Sequence, residues 1–169
     1  MTTEERNRDE LLKFFLEGET ENVMEKLQNF ERLMMRYRSA IREVTTKLEV
    51  LNDELSLIGN RNPIETIQSR VKRPVSISGK LKKLGKPLTA ESIEENLNDV
   101  AGIRVICSFI DDIYRVADML TCQDDIKVIE IKDYIKNPKS NGYRSYESRS
   151  ADQNRCYGFL GKPGTPDQI

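Results

Sequence analysis

The chain has 169 residues, 37% of them hydrophobic and 33% charged, which suits one compact, well-solvated, helix-rich domain better than a β-sandwich. A net charge of −1 creates no global field toward nucleic acid or membrane, so any anion-binding site must be local. Histidine is absent, which excludes imidazole acid–base work and His-ligated metals and leaves carboxylates, hence magnesium or manganese, for any metal chemistry.

No apolar run approaches the roughly 18 residues of a membrane span, and the first residues carry no secretion-signal pattern. Cys107, Cys122 and Cys156 are odd in number and unpatterned, so a reducing cytoplasm is expected rather than a disulfide framework or zinc site.

In chain order, residues 4–17 (EERNRDELLKFFLE) predict a short amphipathic helix stopped near Gly18. Val23, Leu27, Phe30, Met34, Tyr37, Ile41, Val44, Leu48, Leu51, Leu55 and Ile58 then recur at alternating spacings of four and three. That period predicts one long heptad-patterned helix over about 20–58, either lying on its own domain or used in part to join subunits. Gly59, Asn60 and Pro63 end it. "PIETIQSRVKRP" reads as a short helix with Pro63 in its first turn, and residues 92–98 as another. "VAGIRVICSF" is an apolar strand, "DDIYRVADML" a helix with an acidic start, and "IKVIEIKDYI" a second strand. This β-α-β order over 100–135 predicts a sheet layered with helices.

Three constellations can carry chemistry. "SRVKRPVSISGKLKKLGK" concentrates Arg70, Lys72, Arg73, Lys80, Lys82, Lys83 and Lys86, either a solvated face or a contact for polyphosphate or RNA. Asp99, just before a strand, is a candidate Mg²⁺ ligand or an ordinary turn residue, and Arg104 inside that strand needs a partner or ligand. "KDYIKNPKSNGYRSY" interleaves Lys132, Lys136, Lys139, Tyr143 and Arg144, which suits base stacking beside phosphates or a surface turn.

Taken in order, "RVK…SI..KL", "DVAGIRVICSF..DI" and "KDYI…PK.NGYRSY" resemble the synthetase domain of the RelA/SpoT family over roughly residues 60–146. The arrangement is similar to the single-domain small alarmone synthetases, GTP pyrophosphokinases that move pyrophosphate from ATP to the 3′-hydroxyl of GTP or GDP. The resemblance implies an α+β fold, a nucleotidyltransferase-like mixed sheet flanked by helices. Residues 1–59 would be an N-terminal helical region and 147–169 an aberrant, disordered tail. It further implies that Arg70, Lys72, Lys80 and Lys83 grip the ATP phosphates and Arg104 stacks on adenine. Asp99 would hold Mg²⁺, Lys132 and Lys139 would face the GTP phosphates, and Tyr143 would stack on guanine. A homo-oligomer, tetrameric by family, would be built through terminal helices. The family's hydrolase half uses a His-Asp metal site, which this chain does not support.

Beyond Tyr146 the resemblance stops. The family continues "GYRSYH" where this chain has Glu147, and later supplies a strand and helix reading "E-x-Q-I-R-T-x-A-M-D-F-W-A-x-x-E-H", whose first Glu completes the site. Read one base forward with permitted codons, Glu147 to Ile169 yields "KVEVQIRTVAMDFWASLEHQIK", that missing segment. A deletion joining out of frame near Tyr146 is therefore expected. With it come an unfinished sheet, uncovered apolar surface on "AGIRVICSF", and little or no activity. Two other roles stay open: a non-catalytic nucleotide-binding or regulatory subunit, and a module binding single-stranded RNA through residues 70–86.

Overall fold

A computed structural model describes residues 9, 23–59, 61–152 and 155–163; the helix expected at 4–17 lies outside them, Asp9 excepted. Helix α1 (Val23–Gly59) runs 37 residues, about 55 Å at the α-helical rise. It buries Leu27, Phe30, Met34, Tyr37, Ile41, Val44, Leu48, Leu51 and Leu55 of the expected seam, and adds Leu33 and Ala40. Of the seam's ends, Val23 is only partly buried and Ile58 is exposed.

Strands β1 (Ile64–Val71), β2 (Ala101–Cys107), β3 (Ile126–Asp133), β4 (Tyr146–Asp152) and β5 (Arg155–Pro163) form one sheet in the order β1-β2-β5-β4-β3. β2 and β5 are parallel and every other pairing is antiparallel, so the sheet is mixed, as expected. Three further helices complete the described residues: α2 (Pro74–Lys83), α3 (Ala90–Asn96) and α4 (Ile110–Thr121). α1 and α4 pack on each other and on the sheet, α1 against β1, β2 and β5 and α4 against β2, β3 and β5. The seam of α1 is thus core of its own domain.

β2 shows why the site faces the other way. Ala101, Ile103, Val105 and Cys107 are buried under the helices, while Gly102 and Arg104 alternate to the open face. Burial pushes the Cys107 thiol up to about 12, with Asp112 and Glu65 adding to it, so this cysteine stays protonated and unreactive. At the N-terminal end of α4, buried Asp112 takes a two-pronged ion pair from Arg61, at 2.6 and 2.9 Å. Arg61 also stacks over Phe109 at 4.6 Å, tying the chain after α1 to the start of α4.

Two expectations are corrected. "IETIQSRV" is a strand, not a helix: its β-branched residues suit the antiparallel pairing with β2, and the Pro63 carbonyl accepts from the Ser108 amide at 3.2 Å. The tail is not disordered over 147–152 and 155–163, and the sheet does not stop short. β5 fills the place between β2 and β4, because unpaired edges there need backbone partners whatever the side chains. The side chains fit less well. On the helix-facing side of β4, Tyr146 is followed by buried Ser148 and Ser150, whose hydroxyls bond each other at 3.1 Å.

Candidate functional site

Asp99 lies in the short link between α3 and β2. α3 is fixed there by Thr89, whose hydroxyl accepts from the Ser92 amide at 3.1 Å. Lys72, just past β1, is held by its amide to the Val100 carbonyl at 2.7 Å. Its ammonium donates to one Asp99 oxygen at 2.5 Å, and Lys80 of α2 donates to the other at 2.8 Å. Partial burial pushes the Asp99 carboxyl up, but the hydrogen bonds from Lys72 and Lys80 outweigh it and hold the group below the ordinary carboxylate range. Asp99 is therefore ionised at neutral pH. The two ion pairs contribute above Asp99's unfolded pKa, and that contribution fades as pH falls through its lowered folded value.

The open face of the sheet forms a cleft of about 830 Å³, within the range of small-molecule sites. The strand register lays residues of that face out in two rows. One runs Gln68, Arg104, Leu160, Glu147, Lys132; the next runs Arg70, Gly102, Gly158, Arg149, Glu130. Five cations line the cleft (Arg70, Lys80, Arg104, Lys132, Arg149) against three carboxylates (Asp99, Glu130, Glu147), so it attracts anions although the chain is net negative.

Beside it stands the loop after β3. Asp133 anchors that loop, accepting the Ile135 and Lys136 amides at 3.0 Å each, and the Asn141 side chain accepts from the Tyr143 amide at 3.1 Å. Gly142 takes φ +78°, which glycine adopts without strain. The Lys139 ammonium then sits 4.3 Å from the Tyr134 ring centre and 4.9 Å from that of Tyr143. The Tyr143 hydroxyl donates to Glu147 at 3.0 Å, so Glu147 joins this cluster to the cleft.

Of the residues expected from sequence, Arg70, Lys80, Asp99, Arg104 and Lys132 line the cleft, and Lys72 meets it through Asp99. Lys139 and Tyr143 form the neighbouring cluster, whereas Lys83 is exposed on the last turn of α2, outside the cleft lining. Glu130, Glu147 and Arg149 were not anticipated. Among the described residues no three carboxylate or thiol groups converge on one point. Asp99, the ionised carboxylate among them, is the residue that would hold a magnesium ion there.

A mixed sheet with helices packed on one face and an anion-attracting cleft on the other defines an α+β, nucleotidyltransferase-like fold. The family profile described as "Region found in RelA / SpoT proteins" matches residues 69–157, more than half of the chain, and the chain belongs to that family. It is 40% identical over 119 residues to the GTP pyrophosphokinase YwaC of Bacillus subtilis, a stretch covering 70% of this chain and 57% of that one. To YjbM of the same organism it is 36% identical over 119 residues, covering 70% and 55%. The chain thus spans just over half the length of these curated relatives. Among solved structures, small alarmone synthetase 1 of Bacillus subtilis bound to its product pppGpp superposes with a TM-score of 0.68 at 31% identity, over 79% of this chain and 72% of that one. Small alarmone synthetase 2 of that organism gives 0.65 at 34%, over 79% and 71%.

Proposed function

We propose that the cleft takes ATP and a guanine nucleotide, GTP or GDP, and is built to pass pyrophosphate from ATP to the guanosine 3′-hydroxyl, with the transfer step impaired in this chain. The observation that carries this reading is an ionised Asp99 held between Lys72 and Lys80 in a net cationic cleft, with the Tyr134–Lys139–Tyr143 cluster adjoining it. In this reading Arg70, Lys72 and Lys80 hold the ATP phosphates, Arg104 stacks on adenine, and Lys132, Lys139 and Tyr143 receive the guanine nucleotide. Magnesium, with Asp99 as its protein ligand, would neutralise phosphate charge; the protein's own part is to align donor and acceptor and exclude water.

Binding of single-stranded RNA through residues 70–86 is the weaker reading, because Arg70 and Lys80 line the cleft and Lys72 and Lys80 are engaged by Asp99. Assembly into an oligomer belongs to the proposal, supported by the exposed Met24, Met35, Val50, Leu57 and Ile58 of α1. A reducing cytoplasmic setting is supported by the free thiols Cys107 and Cys122; no described helix is long and apolar enough to cross a membrane.

Titration calorimetry with GTP and with a non-hydrolysable ATP analogue tests the reading. Tyr143→Ala should weaken GTP by about 1–3 kcal/mol, the worth of one stacked base, and leave the ATP analogue unchanged. Equal losses for both nucleotides, or none for either, would contradict the assignment.

A further inference from the structure

Arg149 lies outside every motif that carries the family resemblance, yet it stands in the cleft wall. It occupies β4 two residues after Glu147, on the same face, and both side chains line the cleft. Its register neighbour toward the sheet edge is Glu130, the obvious partner for a guanidinium. Glu130 instead pairs with Lys132, at 3.2 Å. Among the described residues the Arg149 side chain has no hydrogen-bonding or ion-pair partner, and its Nε is buried with nothing to receive its proton. A buried donor without an acceptor costs free energy, and a guanidinium fork matches phosphate oxygens in particular.

The other side of the row shows where such an acceptor would lie. Between Arg149 and Arg70 stand only Gly158 and Gly102, which project no side chains, over about 14 Å at the usual strand spacing. Two arginines thus face each other across a bare floor.

We propose that Arg149 is a further anion-binding residue of this cleft, taking phosphate oxygens of a bound nucleoside polyphosphate from the side opposite Arg70. The proposal rests on reading the cleft as a nucleotide site, and it concerns the phosphate chain rather than the base.

Calorimetry on the full chain with a non-hydrolysable ATP analogue, inorganic tripolyphosphate and AMP tests it. Arg149→Gln should weaken the analogue and tripolyphosphate about tenfold and AMP by less than about twofold. Arg149→Lys, which keeps the charge but loses the fork, should fall about threefold and carries the test if Arg149→Gln proves unstable. Unchanged tripolyphosphate affinity in both variants, with affinity lost in Arg70→Gln, overturns this proposal and leaves the nucleotide reading standing. Equal loss for AMP and tripolyphosphate marks a merely structural role and also overturns it. A wild-type chain that binds neither triphosphate overturns both.

Discussion

Leu48→Ala should lower the unfolding free energy by about 2–5 kcal/mol and the melting temperature by roughly 5–15 °C. Leu48 is fully buried in the C-terminal half of α1, the helix that packs against β1, β2, β5, α3 and α4. Alanine is the better helix former, so the whole loss comes from vanished packing and the cavity left behind. Met35→Ala, on the exposed side of the same helix, should stay within about 0.5 kcal/mol. Urea melts at two protein concentrations give the decisive check. A core role makes the loss independent of concentration; a seam that joins subunits makes it grow as the protein is diluted.

That distinction was only half legible in the sequence. The spacing of Leu27 through Leu55 identified the helix and its apolar stripe, but periodicity says nothing about which surface covers a stripe. Strand β2 was legible because its buried positions alternate without interruption, and α4 because its acidic first turn precedes a regular apolar face. β1 was misread because Pro63 followed by Ile64 and Ile67 fits a helix start as well as a strand, and only the pairing with β2 decides. At the site, Asp99, Lys72, Lys80, Arg104 and Lys132 were found through motif order. Glu147 and Arg149 escaped because they follow the last motif, although the charged–small alternation of "ESRS" already carried a strand's two-residue period.

Strands β4 and β5 mark a conflict between backbone and side chains. Their pairing supplies the sheet with hydrogen-bond partners, yet buried Ser148 and Ser150 stand where a helix-covered face calls for apolar groups, and Gly158 and Gly161 lie inside β5. An out-of-frame origin for residues after Tyr146 would account for this, and it makes a codon-level prediction. The gene should read GAT for Asp152, TAT for Tyr157, and a codon ending in TG for Leu160; GAC, TAC or any other leucine ending would break the shifted reading.

The largest expected effect concerns turnover. Activating the guanosine 3′-hydroxyl calls for a positioned base, worth about 10²–10⁴ in rate, and the glutamate that the family resemblance gives that role is missing from residues 147–169 as they read. Each carboxylate of the cleft is already engaged: Asp99 by Lys72 and Lys80, Glu130 by Lys132, and Glu147 by the hydroxyls of Tyr143 and Ser145 at 3.0 and 3.2 Å. The nucleotides should therefore bind while transfer stalls. The direct measurement is product formation from labelled ATP, GTP and Mg²⁺ by the purified chain, run beside Bacillus subtilis small alarmone synthetase 1. A rate about 10²–10⁴-fold below that enzyme, with ATP-analogue binding retained, is the predicted result. Turnover within tenfold of that enzyme, or no nucleotide binding at all, would contradict it.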